Sequence, residues 1–71
     1  MLQQKTKEAI LQLQNSYPEK RSALIPALHL AQNEIGYLPK EAQKEIAELF
    51  GLDQTEVHAI VTFYDMFYEQ P

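Results

Sequence analysis

Two histidines and a handful of carboxylates are the side chains in this sequence best suited to acid–base or metal chemistry. His58 and Asp65 lie seven residues apart with Thr62 between them, and at about 100° per residue in a helix the three share one narrow stripe. A ligand pair or an acid–base pair has that spacing. Two ligands do not make a site, however, and no third lies nearby in the sequence, so a solvated stripe is the simpler expectation. His29 sits between Leu28 and Leu30 with Glu34 five residues on, and reads as one more surface histidine. Neither histidine is joined by a serine or cysteine at a nucleophile elbow, and no glycine-rich loop is present to hold a phosphate. The sequence therefore nominates no catalytic, cofactor-binding or metal-binding residue.

The absence of cysteine excludes a disulfide framework, a thiolate zinc site and a cysteine-ligated iron–sulfur cluster within these 71 residues. Ten acidic against six basic residues leave a net charge of −4, which repels nucleic acid and gives no attraction to an anionic membrane. Glu41, Glu45 and Glu48 form an acidic stripe beside Lys40 and Lys44. Such a stripe is ordinarily a solvated face, and if functional it would meet a basic surface. No run approaches the roughly 18 apolar residues of a spanning helix, and Met1–Glu8 is too polar for a signal peptide, so a cytoplasmic location is expected.

The elements that must carry these residues are helices. With 45% apolar and 23% charged residues the composition is that of an ordinary globular domain, one small enough to bury only about 60% of its unfolded surface. Ile10, Leu11 and Leu13 give Gln3–Asn15 an amphipathic stripe, and Tyr17-Pro18 ends it. Leu24, Ile25, Leu28, Ala31 and Ile35 predict a second helix over Arg21–Ile35, with Ser22 or its neighbour as cap, Pro26 near the first turn and Gly36 as the left-handed stop. Pro39 opens a third helix whose inner face is Ala42, Ile46, Leu49 and Phe50, closed by Gly51. Asp53 and Glu56 form an aspartate-led capping box for a fourth, Gln54 to about Tyr68. No period-2 segment supplies a strand. The fold class is thus all-α, a compact four-helix bundle forming a single domain over residues 1–71, with Gln70-Pro71 opening a linker at its boundary.

The fourth helix carries more apolar surface than three short partners can cover. Its apolar residues, from Val57 to Tyr68, span an arc of roughly 220°, about twice what a one-sided surface helix needs. Either it is the central helix of a very small core, or Phe63, Met66 and Phe67 dock on a partner or a following domain. Its junction with the third helix also follows the spacing of a helix-turn-helix. Residues 53–69 contain no lysine or arginine, though, leaving Gln54 as the sole candidate base reader. DNA binding is permitted by geometry and opposed by charge. A free-standing helical adaptor is a third possibility.

Several segments together resemble a known family. The run Lys20–Gln32, then Gly36-Tyr37-Leu38-Pro39, Glu45-Ile46-Ala47, and Glu56-Val57 through Thr62-Phe63-Tyr64-Asp65-Met66-Phe67, is similar to the amino-terminal helical domain of the E subunit of bacterial NADH:quinone oxidoreductase (complex I), with relatives in NAD-linked hydrogenases and formate dehydrogenases. The likeness spans nearly the whole chain. It implies a helical bundle preceding a thioredoxin-like domain, in which four cysteines in a C-x4-C and C-x3-C arrangement hold a [2Fe–2S] cluster. It also implies pairing with the flavin-bearing, NADH-oxidising subunit, and a place peripheral to the inner membrane. None of those cysteines occurs here, so no cofactor is expected in this chain. The wide apolar arc and the resemblance converge on docking, with Phe63, Met66 and Phe67, taken from the arc, as the expected interface. On that basis Phe67→Glu is expected to spare the fold and Ile46→Asp to destroy it.

Overall fold

The structure is a computed structural model that describes residues 1–70, the side chain of Lys20 excepted. Among the described residues there are four α-helices, a single 3₁₀ turn and no strand: α1 (Gln4–Ser16), the 3₁₀ turn (Lys20–Ala23), α2 (Leu24–Ile35), α3 (Lys40–Phe50) and α4 (Gln54–Phe63). The all-α bundle expected from periodicity is what the chain forms. Of the expected linker start at Gln70-Pro71, Pro71 lies outside the described residues.

One apolar cluster ties all four helices together. Leu2 and Ile10 from the first segment, Leu24, Ala27, Leu28 and Ala31 from α2, Ile46, Ala47 and Phe50 from α3, and Val57 and Val61 from α4 are buried in it, with Leu38 and Phe67. Leu11 points to solvent, so the inner stripe of α1 is narrower than expected. Small residues let the short helices approach: Ala27, Ala31 and Ala47 are fully or almost fully buried. The most extensive helix–helix contact is between α3 and α4, across the turn centred on Gly51.

That turn is a full Schellman closure. Gly51 sits at φ 68, its N–H bonds to the Glu48 carbonyl at 3.3 Å, and the Leu52 N–H reaches the Ala47 carbonyl at 2.9 Å, satisfying carbonyls that the helix end leaves open. Gly36 ends α2 in the same left-handed conformation.

Helix starts depart from expectation in two places. The 3₁₀ turn runs straight into α2, which begins at Leu24 and not Arg21; Ala23, the neighbour of Ser22, takes the N-cap position without a side-chain bond, and Pro26 falls in the first turn as expected, where an amide would have had no partner within the helix. The capping box at Asp53 and Glu56 does not form. Asp53 is in the N-cap position without a side-chain bond, and the Glu56 carboxylate, which would return to the Asp53 N–H in the box, instead pairs with Arg21 at 2.7 Å in a charge-assisted bond stronger than one to a neutral amide.

The largest departure is the end of α4, which stops at Phe63 instead of continuing to Tyr68. Tyr64 turns extended at φ −97, ψ 125, and the chain doubles back over the ends of α2 and α3. The reason is burial. Doubling back carries Phe67 into the cluster at 6% exposure, against the ring of His29 at a centroid distance of 4.9 Å. Thr62, Phe63 and Tyr64 are also weak helix formers, so little opposes the stop.

Candidate docking surface

The three expected interface residues divide. Phe63 is 80% exposed and Met66 42%, whereas Phe67 is a core residue, which overturns its assignment to a docking face and the expectation that Phe67→Glu spares the fold. Around the first two, Tyr64 and Tyr68 are also exposed, and the Phe63 and Tyr64 rings meet edge to face with centroids 5.4 Å apart. The exposed apolar side chains of this segment thus form a short ridge at the exit of α4, while Met1, Leu11 and Tyr17 are exposed singly on and beside α1. It arises because the aromatic run is too dense for one turn of chain to bury, and Phe67 takes the inward place.

Behind the ridge the returning segment is fastened by polar groups. The Leu38 N–H donates to the Tyr68 carbonyl, which joins the Gly-Tyr-Leu-Pro turn to the aromatic segment. Gln32, in the last turn of α2, donates from Nε2 to the Met66 carbonyl at 2.9 Å and accepts the Tyr68 N–H on Oε1 at 2.8 Å. Gln43, fully buried on α3, donates to the Leu38 carbonyl at 2.8 Å and to Glu69 Oε2 at 3.1 Å. His58 Nδ1 lies 3.0 Å from Glu69 Oε2 and 3.3 Å from Gln43 Oε1. Both neighbours are acceptors, so Nδ1 carries the hydrogen. The His58–Asp65 stripe does not exist, because α4 ends before Asp65 and His58 serves Glu69 instead.

Sequence pattern singles out neither glutamine. Gln43 carries a usable signal: with Ile46, Ala47 and Phe50 it completes an i, i+3, i+4, i+7 stripe, so a polar residue stands on the inner face. Gln32 carries none, since its partners are main-chain groups of a segment expected to be helical.

The acidic stripe is only partly a solvated face. Glu41 and Glu48 are exposed, but Glu45 receives the amino terminus at 2.9 Å, Lys7 Nζ at 3.4 Å and the Leu2 N–H at 3.3 Å. Burial pushes the Glu45 carboxyl up, and the bonds from the amino terminus, Leu2 and Lys7 outweigh it, leaving the group below the ordinary carboxylate value. Glu34 likewise accepts from the Gln3 N–H and the Thr6 hydroxyl. The open hollow lined by Lys40, Gln54, Thr55 and His58 holds the one candidate base reader, and Gln54 there donates to the Lys40 carbonyl at 3.1 Å.

The model of the thioredoxin-like [2Fe–2S] ferredoxin family matches residues 10–71. The chain belongs to that family. Among relatives of this [2Fe–2S] ferredoxin family member, the E 2 subunit of NADH-quinone oxidoreductase from Rhizobium meliloti is 42% identical over 55 residues, covering 78% of this chain and 33% of the relative. The corresponding E subunit from Aquifex aeolicus is 43% identical over 53 residues, 75% of this chain and 33% of its own. That from Escherichia coli is 34% identical over 65 residues, 92% of this chain and 39% of its own. The chain thus spans about a third of the length of the relatives it matches. Its residues do not fit the family's cluster. There is no thiolate, and among the described residues no three His, Cys, Asp or Glu side chains come together as a metal-binding group. No helix is long and apolar enough to cross a membrane among the described residues.

Proposed function

We propose that residues 1–71 form a single non-catalytic docking domain of an electron-transfer subunit of NADH-quinone oxidoreductase. It associates with the flavin-bearing, NADH-oxidising subunit and with the [2Fe–2S] domain that follows such a bundle in the family, in a complex peripheral to the membrane on its cytoplasmic side. The observation that carries this reading is the apolar ridge at the exit of α4, Phe63 and Met66 with Tyr64 and Tyr68, on a chain most of whose length is similar to part of a NADH-quinone oxidoreductase E subunit. Aromatic and methionine side chains left in water beside a filled core are the composition of an interface centre. Redox chemistry belongs to the partners.

The test is binding of the chain to the flavoprotein subunit, compared between the unaltered protein and the double variant Phe63→Glu/Met66→Glu. Both residues are exposed, so helicity by circular dichroism should be retained. Association should weaken by about thirtyfold or more, the loss expected when a central apolar contact is replaced by an unpaired charge. Unchanged affinity in a folded double variant would remove the ridge as the docking surface.

A further inference from the structure

The segment Tyr64–Glu69 makes no regular element, yet four of its groups are held: the Met66 carbonyl, the Tyr68 N–H, the Tyr68 carbonyl and the Glu69 carboxylate. We infer that Gln32 and Gln43 are positioning residues that clamp this segment as a strap across the bundle and so fix the direction in which the chain leaves it. Resting on the docking role proposed above, the clamp sets how the bundle is oriented toward the domain that follows.

Gln32 provides the clearest case. Its planar amide turns one N–H and its carbonyl oxygen, the donor and acceptor of a peptide group, on main-chain groups two residues apart, on either side of Phe67. The side chain therefore stands in for a neighbouring strand and holds the backbone while the Phe67 ring enters the core. Gln43 fixes the far end. It joins the Leu38 carbonyl and the Glu69 carboxylate through one nitrogen, while its oxygen faces His58, so α3, α4, the Leu38 turn and the strap meet at one buried amide. An apolar anchor alone would permit the backbone to swivel about the Phe67 ring. Hydrogen bonds on both sides of that ring remove the swivel, because each is directional.

Gln43 is buried and its loss leaves several polar groups unpaired, so the discriminating variant is Gln32→Ala, at a half-exposed position. The chain has no cysteine, so spin labels can be placed at exposed Gln12 on α1 and at Gln70 through Gln12→Cys and Gln70→Cys. Pulsed electron resonance should give one narrow distance distribution in this background and a broad one after Gln32→Ala. Amide exchange at Tyr68 should quicken about tenfold through the lost bonds, while exchange at Ile10 stays unchanged. A narrow distribution retained in Gln32→Ala, or an equal rise in exchange at Ile10 and Tyr68, overturns the clamp. These readouts need no partner, so a failure of the chain to bind the flavoprotein removes the docking role and leaves the clamp to stand or fall by its own measurement.

Discussion

A phenylalanine ring at 6% exposure acts through the water it excludes and the contacts it makes, and both are lost when it is truncated. Phe67→Ala should cost about 3–5 kcal/mol, comparable with the whole stability that a core of this size supplies. The variant is therefore expected to lose most of its helicity at room temperature, as is expected of Ile46→Asp, whereas Phe63→Ala at 80% exposure should leave the thermal midpoint nearly unchanged. Thermal melts followed by circular dichroism separate the two, and an intact midpoint for Phe67→Ala would place that ring outside the core. Glu45 acts through charge instead. Its folded value lies below the ordinary 4.5, so its pairing contributes stability that is fully present above pH 4.5 and is lost as the pH falls through the folded value. The unfolding free energy of the unaltered chain should thus exceed that of Glu45→Gln at neutral pH, and the gap should close on acidification. A gap that stays constant with pH would mean that the carboxylate's charge contributes nothing.

Elements differ in how plainly the residues announce them. α3 is the most legible, because Pro39 opens it, Gly51 closes it and the apolar spacing between is regular. Both glycines are at positive φ, where a side chain is strained, so glycine type and position together mark a stop. The end of α4 has no such mark. Neither glycine nor proline lies between Phe63 and Pro71, and the apolar residues continue at helical spacing, so local pattern favours a longer helix. What ends it is tertiary: Phe67 gains the core only if the chain doubles back, and Gln32 and Leu38, about thirty residues earlier, are already placed to hold the main chain there. The same nonlocal cause hides which aromatic side chains stay exposed. Counting apolar arc on one straight helix includes Phe63 and Met66, which are exposed, but it cannot say that Phe67 turns inward. Capping is obscured for a related reason, since Glu56 has a local partner in Asp53 by spacing and a stronger distant one in Arg21.

At the scale of the whole molecule, charge decides between two uses of the α3–turn–α4 unit. Its packing has the spacing of a helix-turn-helix, yet binding to duplex DNA draws much of its free energy from cations displaced by lysine and arginine at the phosphates. The second helix and the strap after it carry none, while Asp53, Glu56, Asp65 and Glu69 lie along them and the chain as a whole is at −4. Gln54, the one candidate base reader, already spends an N–H on the Lys40 carbonyl. A gel-shift titration with random-sequence duplex at low salt, where the electrostatic contribution is largest, is therefore expected to show no retarded band. Low salt is the demanding condition, because any weak basic patch would be exaggerated there. A band that appears and fades as salt is raised would mean that phosphate contacts form despite the net charge, and the helix pair would then have to be assigned to DNA. Its absence removes the DNA reading, and the docking role proposed for the apolar ridge is then tested by the binding of Phe63→Glu/Met66→Glu to the flavoprotein subunit.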